Sequence, residues 1–291
     1  MSKELRGGYT TGACAAAGAK AVEVVDRLVK YAENKPINLV MTRDLADRFK
    51  HPELGIDNVH EAPLDLGITI GGDGTLLGFC RDFYNKGKHI PACGINIGTV
   101  GFLTDIEPDE IERKMDQYLE EKYRIVERNV LHGSVISGGT KMLLSHAMND
   151  VVITKGGVAR MLHLGLSIGG YRVGDFKADG MILSTALGST AYSLSAGGPI
   201  MHPAVKAILI TPICPHSFNA RPMVVSDTES ISVHIAAVHQ DIQVVFDGQE
   251  NFSLQPGDEV VVRKAMNPAR IVKFEDKNYF ATLNNKLWGS I

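Results

Sequence analysis

Leu66-Gly67-Ile68-Thr69-Ile70-Gly71-Gly72-Asp73-Gly74-Thr75-Leu76-Leu77-Gly78-Phe79-Cys80-Arg81-Asp82-Phe83 is the stretch from which the fold is read. Its first five residues are an apolar run fit for a buried strand, and the run ends in glycines that flank Asp73. Beyond them Leu76, Leu77, Phe79, Cys80 and Phe83 recur with helical period, so the segment reads as strand, tight glycine turn and helix. A helix that opens on such a turn presents unpaired N–H groups and its positive dipole end, which suits a phosphate. Asp73 would repel that phosphate unless it has another task, such as taking a proton from a hydroxyl nucleophile or holding a metal ion beside the phosphates. The plainer alternative is an ordinary glycine turn with an aspartate cap. Two other phosphate motifs are excluded: no G-x-x-x-x-G-K-[ST] occurs, and Leu77 stands where a G-x-G-x-x-G needs its third glycine.

Working outward, residues 13–32 are rich in alanine with Val22, Val25 and Val29 on one face, which predicts a helix that Pro36 ends. Residues 37–41 and 91–97 predict further strands, and 110–123 a charged amphipathic helix. Strands alternating with helices imply a parallel sheet. From about residue 130 the texture changes to short apolar or alternating runs at 130–136, 141–144, 150–154, 162–168, 181–184, 207–210, 230–236, 242–246 and 259–263, separated by glycine, proline or asparagine. That pattern predicts an antiparallel β domain. One helical interruption is expected after Gly188, capped by Ser189-Thr190 and running to Ala196.

The 291 residues are 44% hydrophobic and 22% charged with a net charge of −3, an ordinary globular composition that excludes a nucleic-acid or membrane-surface binder working by bulk charge. Cys14, Cys80, Cys93 and Cys214 form no C-x-x-C pair and are expected as reduced, packed thiols of a cytoplasmic protein. No run reaches the length of a membrane helix, and the first residues lack the layout of a signal peptide. Histidines 132, 146, 163, 234 and 239 show no metal-ligand spacing, so no metal ligands are assigned.

Residues 179–199, DGMILSTALGSTAYSLSAGGP, concentrate small and hydroxylic residues, which read as poor core but good lining for a polar ligand. This run, the Gly-Gly-Asp-Gly-Thr loop at 71–75, GTVGFLTD at 98–105, Asn149-Asp150 before a strand, Pro215-His216-Ser217, Arg221-Pro222 and Asp247-Gly248-Gln249 together resemble the ordered motif set of the NAD kinase family. The resemblance covers about residues 35–290. Gly-Gly-Asp-Gly alone is shared with lipid kinases and phosphofructokinases, whereas 188–199 is far more specific.

The resemblance implies a Rossmann-like α/β domain at 1–126, to which a tail at 267–291 returns, and a β-rich, sandwich-like NAD-binding domain at 127–266. It implies transfer of the γ-phosphate of ATP to the 2′-hydroxyl of the adenosine ribose of NAD, with Mg²⁺ or another divalent cation. Asp73 falls on the catalytic carboxylate, and Gly71, Gly72, Gly74 and Thr75 on the phosphate loop. Asn149 and Asp150 fall on the pair that holds the ribose on the nicotinamide side, where Glu is frequent in place of Asp150. Asp179 is expected near the nicotinamide end, Thr190, Ala191, Tyr192 and Ser195 near the nucleoside moieties, Phe102 and Leu103 beside the adenine, Lys177 at the phosphate, and Asp247 among the nucleotide contacts. Homodimers or homotetramers are implied, and polyphosphate is a donor that the residues do not distinguish from ATP. A lipid kinase of the diacylglycerol type and a non-catalytic dinucleotide-binding protein are the alternatives that the same residues leave open.

Two stretches depart from the family. It commonly reads Thr-Pro-Thr-Gly where this chain has Thr185-Ala186-Leu187-Gly188, which removes one hydroxyl. Residues 6–17, RGGYTTGACAAA, resemble instead the opening of the cobalt-precorrin C1-methyltransferase family. That likeness spans about twenty residues, and the segment is expected to be a leader without a role.

Overall fold

The computed structural model describes residues 5–7, 15–98, 101–156, 161–216, 219–236, 241–274 and 278–289. The chain divides into two compact units, residues 1–127 with 269–291, and residues 128–268.

In the first unit all five residues of the Leu66–Ile70 strand are buried, as expected for a strand covered on both faces of a parallel sheet. Among the described residues the sheet has five strands in the order Leu5–Gly7, Leu66–Ile70, Ala92–Ile95, Ala269–Lys273 and Arg124–Arg128. The first four are joined by parallel pairing. The helix Ala15–Ala32 sends Val24, Val25 and Leu28 into a core shared with Leu66, Ile68, Ile95, Met115 and Tyr118. Between that helix and Ile111–Leu119, the Tyr31 hydroxyl donates to Asp116 at 2.7 Å.

Three expectations are corrected here. Residues 5–7 are not a leader without a role, because their backbone pairs with residues 66–68 at the sheet edge; the rest of the unusual opening, 8–14, lies outside the described residues. The strand expected at 37–41 shrinks to Met41–Thr42, paired with Gly55–Ile56. Leu39 and Met41 are buried, so the apolar pattern reported packing and not ladder pairing. The helix expected over 110–123 runs only from Ile111 to Leu119, and Glu121, in the left-handed region at φ 61°, marks its end.

The second unit holds two antiparallel sheets. Among the described residues one orders Tyr171–Ala178, Leu162–Ile168, Ile231–Ile235, Glu259–Lys264, Leu131–Ser137 and Thr140–Ala147; the other orders Met223–Ser226, Ala207–Ile213, Gly180–Thr185, Asp150–Lys155, Ile242–Phe246 and Glu250–Leu254. Val233, Val260, Leu164 and Leu131 from the first interdigitate with Val151, Met181, Ile210 and Phe246 from the second in one core, which is a sandwich. Ile242, Val244 and Phe246 point into it while Gln243 and Val245 do not, the two-residue period of a strand.

Gly180–Thr185 and Ala207–Ile213 are buried throughout, so their outer face is covered as well. Ala186 and Met201 pack there against Ala207 and Leu209, and Ser193 bonds Thr211 through hydroxyls 2.8 Å apart. The helix expected to Ala196 resolves into a 3₁₀ turn, Leu187–Thr190, and one helical turn, Tyr192–Ser195.

Candidate active site

The predicted residues gather in two places, one on each unit. On the first, the glycine loop opens the helix Asp73–Asn85 with Gly72 as its N-cap and no side-chain cap. Thr75 is buried, and none of the described residues stands within 4 Å of the place a Cβ on Gly72 would occupy. Asp73 is engaged by the 98–105 motif: Oδ2 accepts the Phe102 N–H at 2.7 Å, and Oδ1 accepts the N–H groups of Leu103 and Thr104 at 3.0 and 3.1 Å. The Thr104 hydroxyl adds a bond to Oδ1 at 3.3 Å. Residues 99 and 100 lie outside the described residues. Gly101 makes this approach possible, because a Cβ there would overlap Asp73 Oδ1 and Thr104 Oγ1.

Phe102 is held from its other side. The Lys273 ammonium takes the Leu103 carbonyl at 2.9 Å and the Asp105 carboxylate at 3.0 Å, the Lys286 ammonium lies 4.8 Å from the Phe102 ring, and the Tyr279 ring is 6.0 Å away. Leu103 has its side chain buried, so what it offers outward is backbone. Lys273, Tyr279 and Lys286 were not singled out from sequence, since they lie 171, 177 and 184 residues from Phe102.

On the second unit Asp247 gathers Asn149 and Asp150. Its Oδ2 accepts the Met148 N–H at 3.0 Å, and its Oδ1 the Asn149 and Asp150 N–H groups at 2.7 and 3.1 Å. From the opposite side the Asn149 carbonyl accepts the Thr185 N–H at 2.9 Å and the Ser184 hydroxyl at 3.1 Å. The Thr185 hydroxyl donates to the Met148 carbonyl at 2.6 Å and accepts from the Gly188 N–H at 3.1 Å. A side chain on Gly188 would overlap the Asn149 backbone. Asp150 is buried, and that burial, with the charge of Asp247 adding to it, lifts its carboxyl to about 7.

Asp179 meets Lys155, whose ammonium is 2.5 Å from Asp179 Oδ1. The antiparallel pairing of Asp150–Lys155 with Gly180–Thr185 brings the two together, although they are 24 residues apart. Lys177 is instead exposed on the edge strand Tyr171–Ala178, and its carbonyl accepts the His216 N–H at 2.8 Å. Tyr192 and Ser195 are exposed; Thr190 is half-buried with its hydroxyl on the Leu187 carbonyl at 3.3 Å. Ala191 is half-buried beside them.

The hydroxyl-rich run is corrected in part. Ser184, Thr185, Ser189 and Ser193 are fully buried and spend their hydroxyls on backbone carbonyls or on Thr211, so they are core and not ligand lining. Leu187 is buried too, worth about 1.5–3 kcal/mol against about 1 kcal/mol for the hydrogen bond a hydroxyl would make. The departure therefore favours packing. Cys214 is also corrected: Cys80 and Cys93 are buried thiols, but Cys214 is exposed just beyond the Ala207–Ile213 strand.

Sequence models of the ATP-NAD kinase N-terminal and C-terminal domains match residues 17–123 and 148–274. The NAD kinase of Thiobacillus denitrificans is 38% identical over 268 residues, 91% of this chain and 91% of its own length. The chain belongs to the NAD kinase family. The NAD kinase of Geobacter sulfurreducens is 40% identical over 226 residues, covering 77% of this chain and 79% of itself. The chain is thus a kinase, a phosphotransferase, with the α/β unit and β-rich unit of that family. Among solved structures, yeast NADH kinase complexed with NADH superposes with a TM-score of 0.89 at 24% identity, over 99% of this chain and 89% of that one, a likeness of fold. An NAD kinase from Archaeoglobus fulgidus in complex with ATP superposes with a TM-score of 0.70 at 25% identity, over 98% of each chain.

Among the described residues no three His, Cys, Asp or Glu side chains are grouped to cage a metal ion, and no helix is long and apolar enough to cross a membrane.

Proposed function

We propose that the chain transfers the γ-phosphate of ATP to the 2′-hydroxyl of the adenosine ribose of NAD, giving NADP, and that Asp73 accepts the hydroxyl hydrogen. The observation that carries this reading is the uneven use of the Asp73 carboxylate. Among the described residues Oδ1 takes three donors, whereas Oδ2 takes the Phe102 N–H. A carboxylate oxygen has two lone pairs, so Oδ2 retains acceptor capacity for a substrate hydroxyl. A carboxylate is a weak base for an alcohol, but a loose phosphoryl transition state needs little early proton removal. Fixing the hydroxyl in line with the phosphorus then matters more than basicity.

The backbone of 71–75 and the dipole of the Asp73–Asn85 helix steady the phosphates. Mg²⁺ fits as part of the ATP substrate, because it usually keeps several waters and is held largely by the phosphate oxygens. Bound there it would neutralise charge on the phosphates. On the second unit, Asn149 and Asp150 contact the dinucleotide, Tyr192 and Ser195 meet its nucleoside moieties through their exposed side chains with Thr190 and Ala191 beside them, and Lys155 fixes the aim of Asp179. Lys177, exposed on its edge strand, supplies the remaining cation toward the phosphate. A cytoplasmic homodimer or homotetramer is part of the same reading. The test is NADP formation from NAD and ATP with Mg²⁺, run beside polyphosphate as donor and diacylglycerol as acceptor; NADP from ATP supports it, and phosphorylation of the lipid alone overturns it.

A further inference from the structure

Asp247 sits just beyond the Ile242–Phe246 strand, in a turn closed by the Gln249 N–H on the Phe246 carbonyl at 2.9 Å. Its backbone and that of Gly248 are in the left-handed region, at φ 50° and 66°. Two successive positive φ values are those of the mirror-image hairpin turn, which favours Asn or Asp followed by Gly. Turn chemistry alone would therefore explain an aspartate here, and an asparagine equally well. It does not explain the carboxylate. Three consecutive N–H groups, from residues 148, 149 and 150, converge on it at 2.7–3.1 Å, the concave arrangement in which a backbone holds an anion. The Asp247 N–H returns a bond to the Asp150 carbonyl at 3.0 Å. Because residues 184 and 185 hold the same loop from its other side, the backbone of Asn149 is clamped between two elements and its side chain is aimed by both.

We propose that Asp247 is a positioning residue, whose carboxylate holds residues 148–150 in the geometry that receives the dinucleotide, and that it does not itself contact the nucleotide. This rests on the assignment of Asn149 and Asp150 as dinucleotide contacts. Bonds from N–H to a charged acceptor are the stronger kind, and an asparagine would offer one oxygen and turn an NH₂ group toward N–H donors. The site would loosen while the hairpin kept its preferred residue type.

The experiment compares the full-length enzyme with Asp247→Asn and Asn149→Ala. For Asp247→Asn the KM for NAD rises about tenfold, while kcat and the KM for ATP stay within about twofold to threefold. Hydrogen exchange adds a readout that a turn role would not move: the amides of 148–150 exchange at least about tenfold faster, with the amides of 242–246 unchanged. An unchanged KM for NAD and unchanged exchange overturn the proposal, as does an equal rise in both KM values with general loss of protection, which marks a merely structural residue. Asn149→Ala separates the two levels. If it raises the KM for NAD and Asp247→Asn does not, the positioning role fails alone; if it leaves that KM unchanged, the assignment beneath the proposal fails and takes the proposal with it.

Discussion

The Phe102 N–H donates to Asp73 Oδ2 at 2.7 Å, across 29 residues of sequence. The carboxylate that the glycine loop carries is thereby fixed by the backbone of a second loop, which sets where its remaining lone pair points. Asp73→Asn keeps the size of the side chain but loses charge and presents an NH₂ group to N–H donors. We expect kcat to fall by roughly 10² to 10⁴ with the thermal midpoint within a few degrees of the parent, measured by steady-state NADP formation and thermal unfolding. Near-normal turnover would remove Asp73 from the chemistry.

Gly101→Ala tests the same geometry without touching the carboxylate. Its Cβ would overlap Asp73 Oδ1 and Thr104 Oγ1, and relieving such overlap costs about 1–3 kcal/mol or displaces the weaker partner. The expected result is at least about a tenfold loss of kcat, larger in proportion than any rise in the KM for NAD. Full activity would show that the approach of residues 101–104 to Asp73 is dispensable.

Gly188→Ala addresses the second unit. Here the added atom would overlap Asn149 backbone, which cannot swing aside as a side chain can. We expect the KM for NAD to rise at least about tenfold with a lowered thermal midpoint, while the KM for ATP holds. Equal changes in both substrates would argue against a dinucleotide role for Asn149.

Much of this arrangement was legible beforehand. The largely apolar run Leu66–Ile70 announced a buried strand, and the short apolar run Ile242–Phe246 a strand of the β domain, although the alternating burial of the second is not written in its residues, since Val245 is as apolar as its neighbours. Tyr171–Ala178 and Glu250–Leu254 escaped notice because they are edge strands: the first is exposed at Tyr171, Arg172 and Val173, and the second carries Glu250, Asn251 and Ser253. Their strand character comes from their partners. Ala269–Lys273 likewise forms only because the chain returns to the first sheet. In the site, chemistry-bearing types could be picked out, but which atom each one serves could not. Asp247 is placed among the nucleotide contacts by resemblance, and the three N–H groups on its carboxylate are seen only in the fold, just as Lys155 is tied to Asp179 only by antiparallel register.

Asp150 gives the protein a dependence on pH. Burial lifts its carboxyl from an ordinary value of 3.8 to about 7, so folding binds its proton. The stability this group contributes is complete below the ordinary value and is lost progressively as pH rises through about 7. Asp150→Asn removes that dependence. Urea unfolding from pH 4 to 8.5 should show the variant gaining on the parent as pH rises, by on the order of 4 kcal/mol at the alkaline end. A difference that does not change with pH would mean that Asp150 is not held in a desolvated place.

The central claim is tested most directly by following NADP formation when the purified chain is given NAD, ATP and Mg²⁺, with Asp73→Asn assayed beside it. The account predicts NADP accumulation by the parent and its near-abolition in the variant. A folded parent that binds NAD yet forms no NADP, or a variant that forms it as fast, would contradict the account.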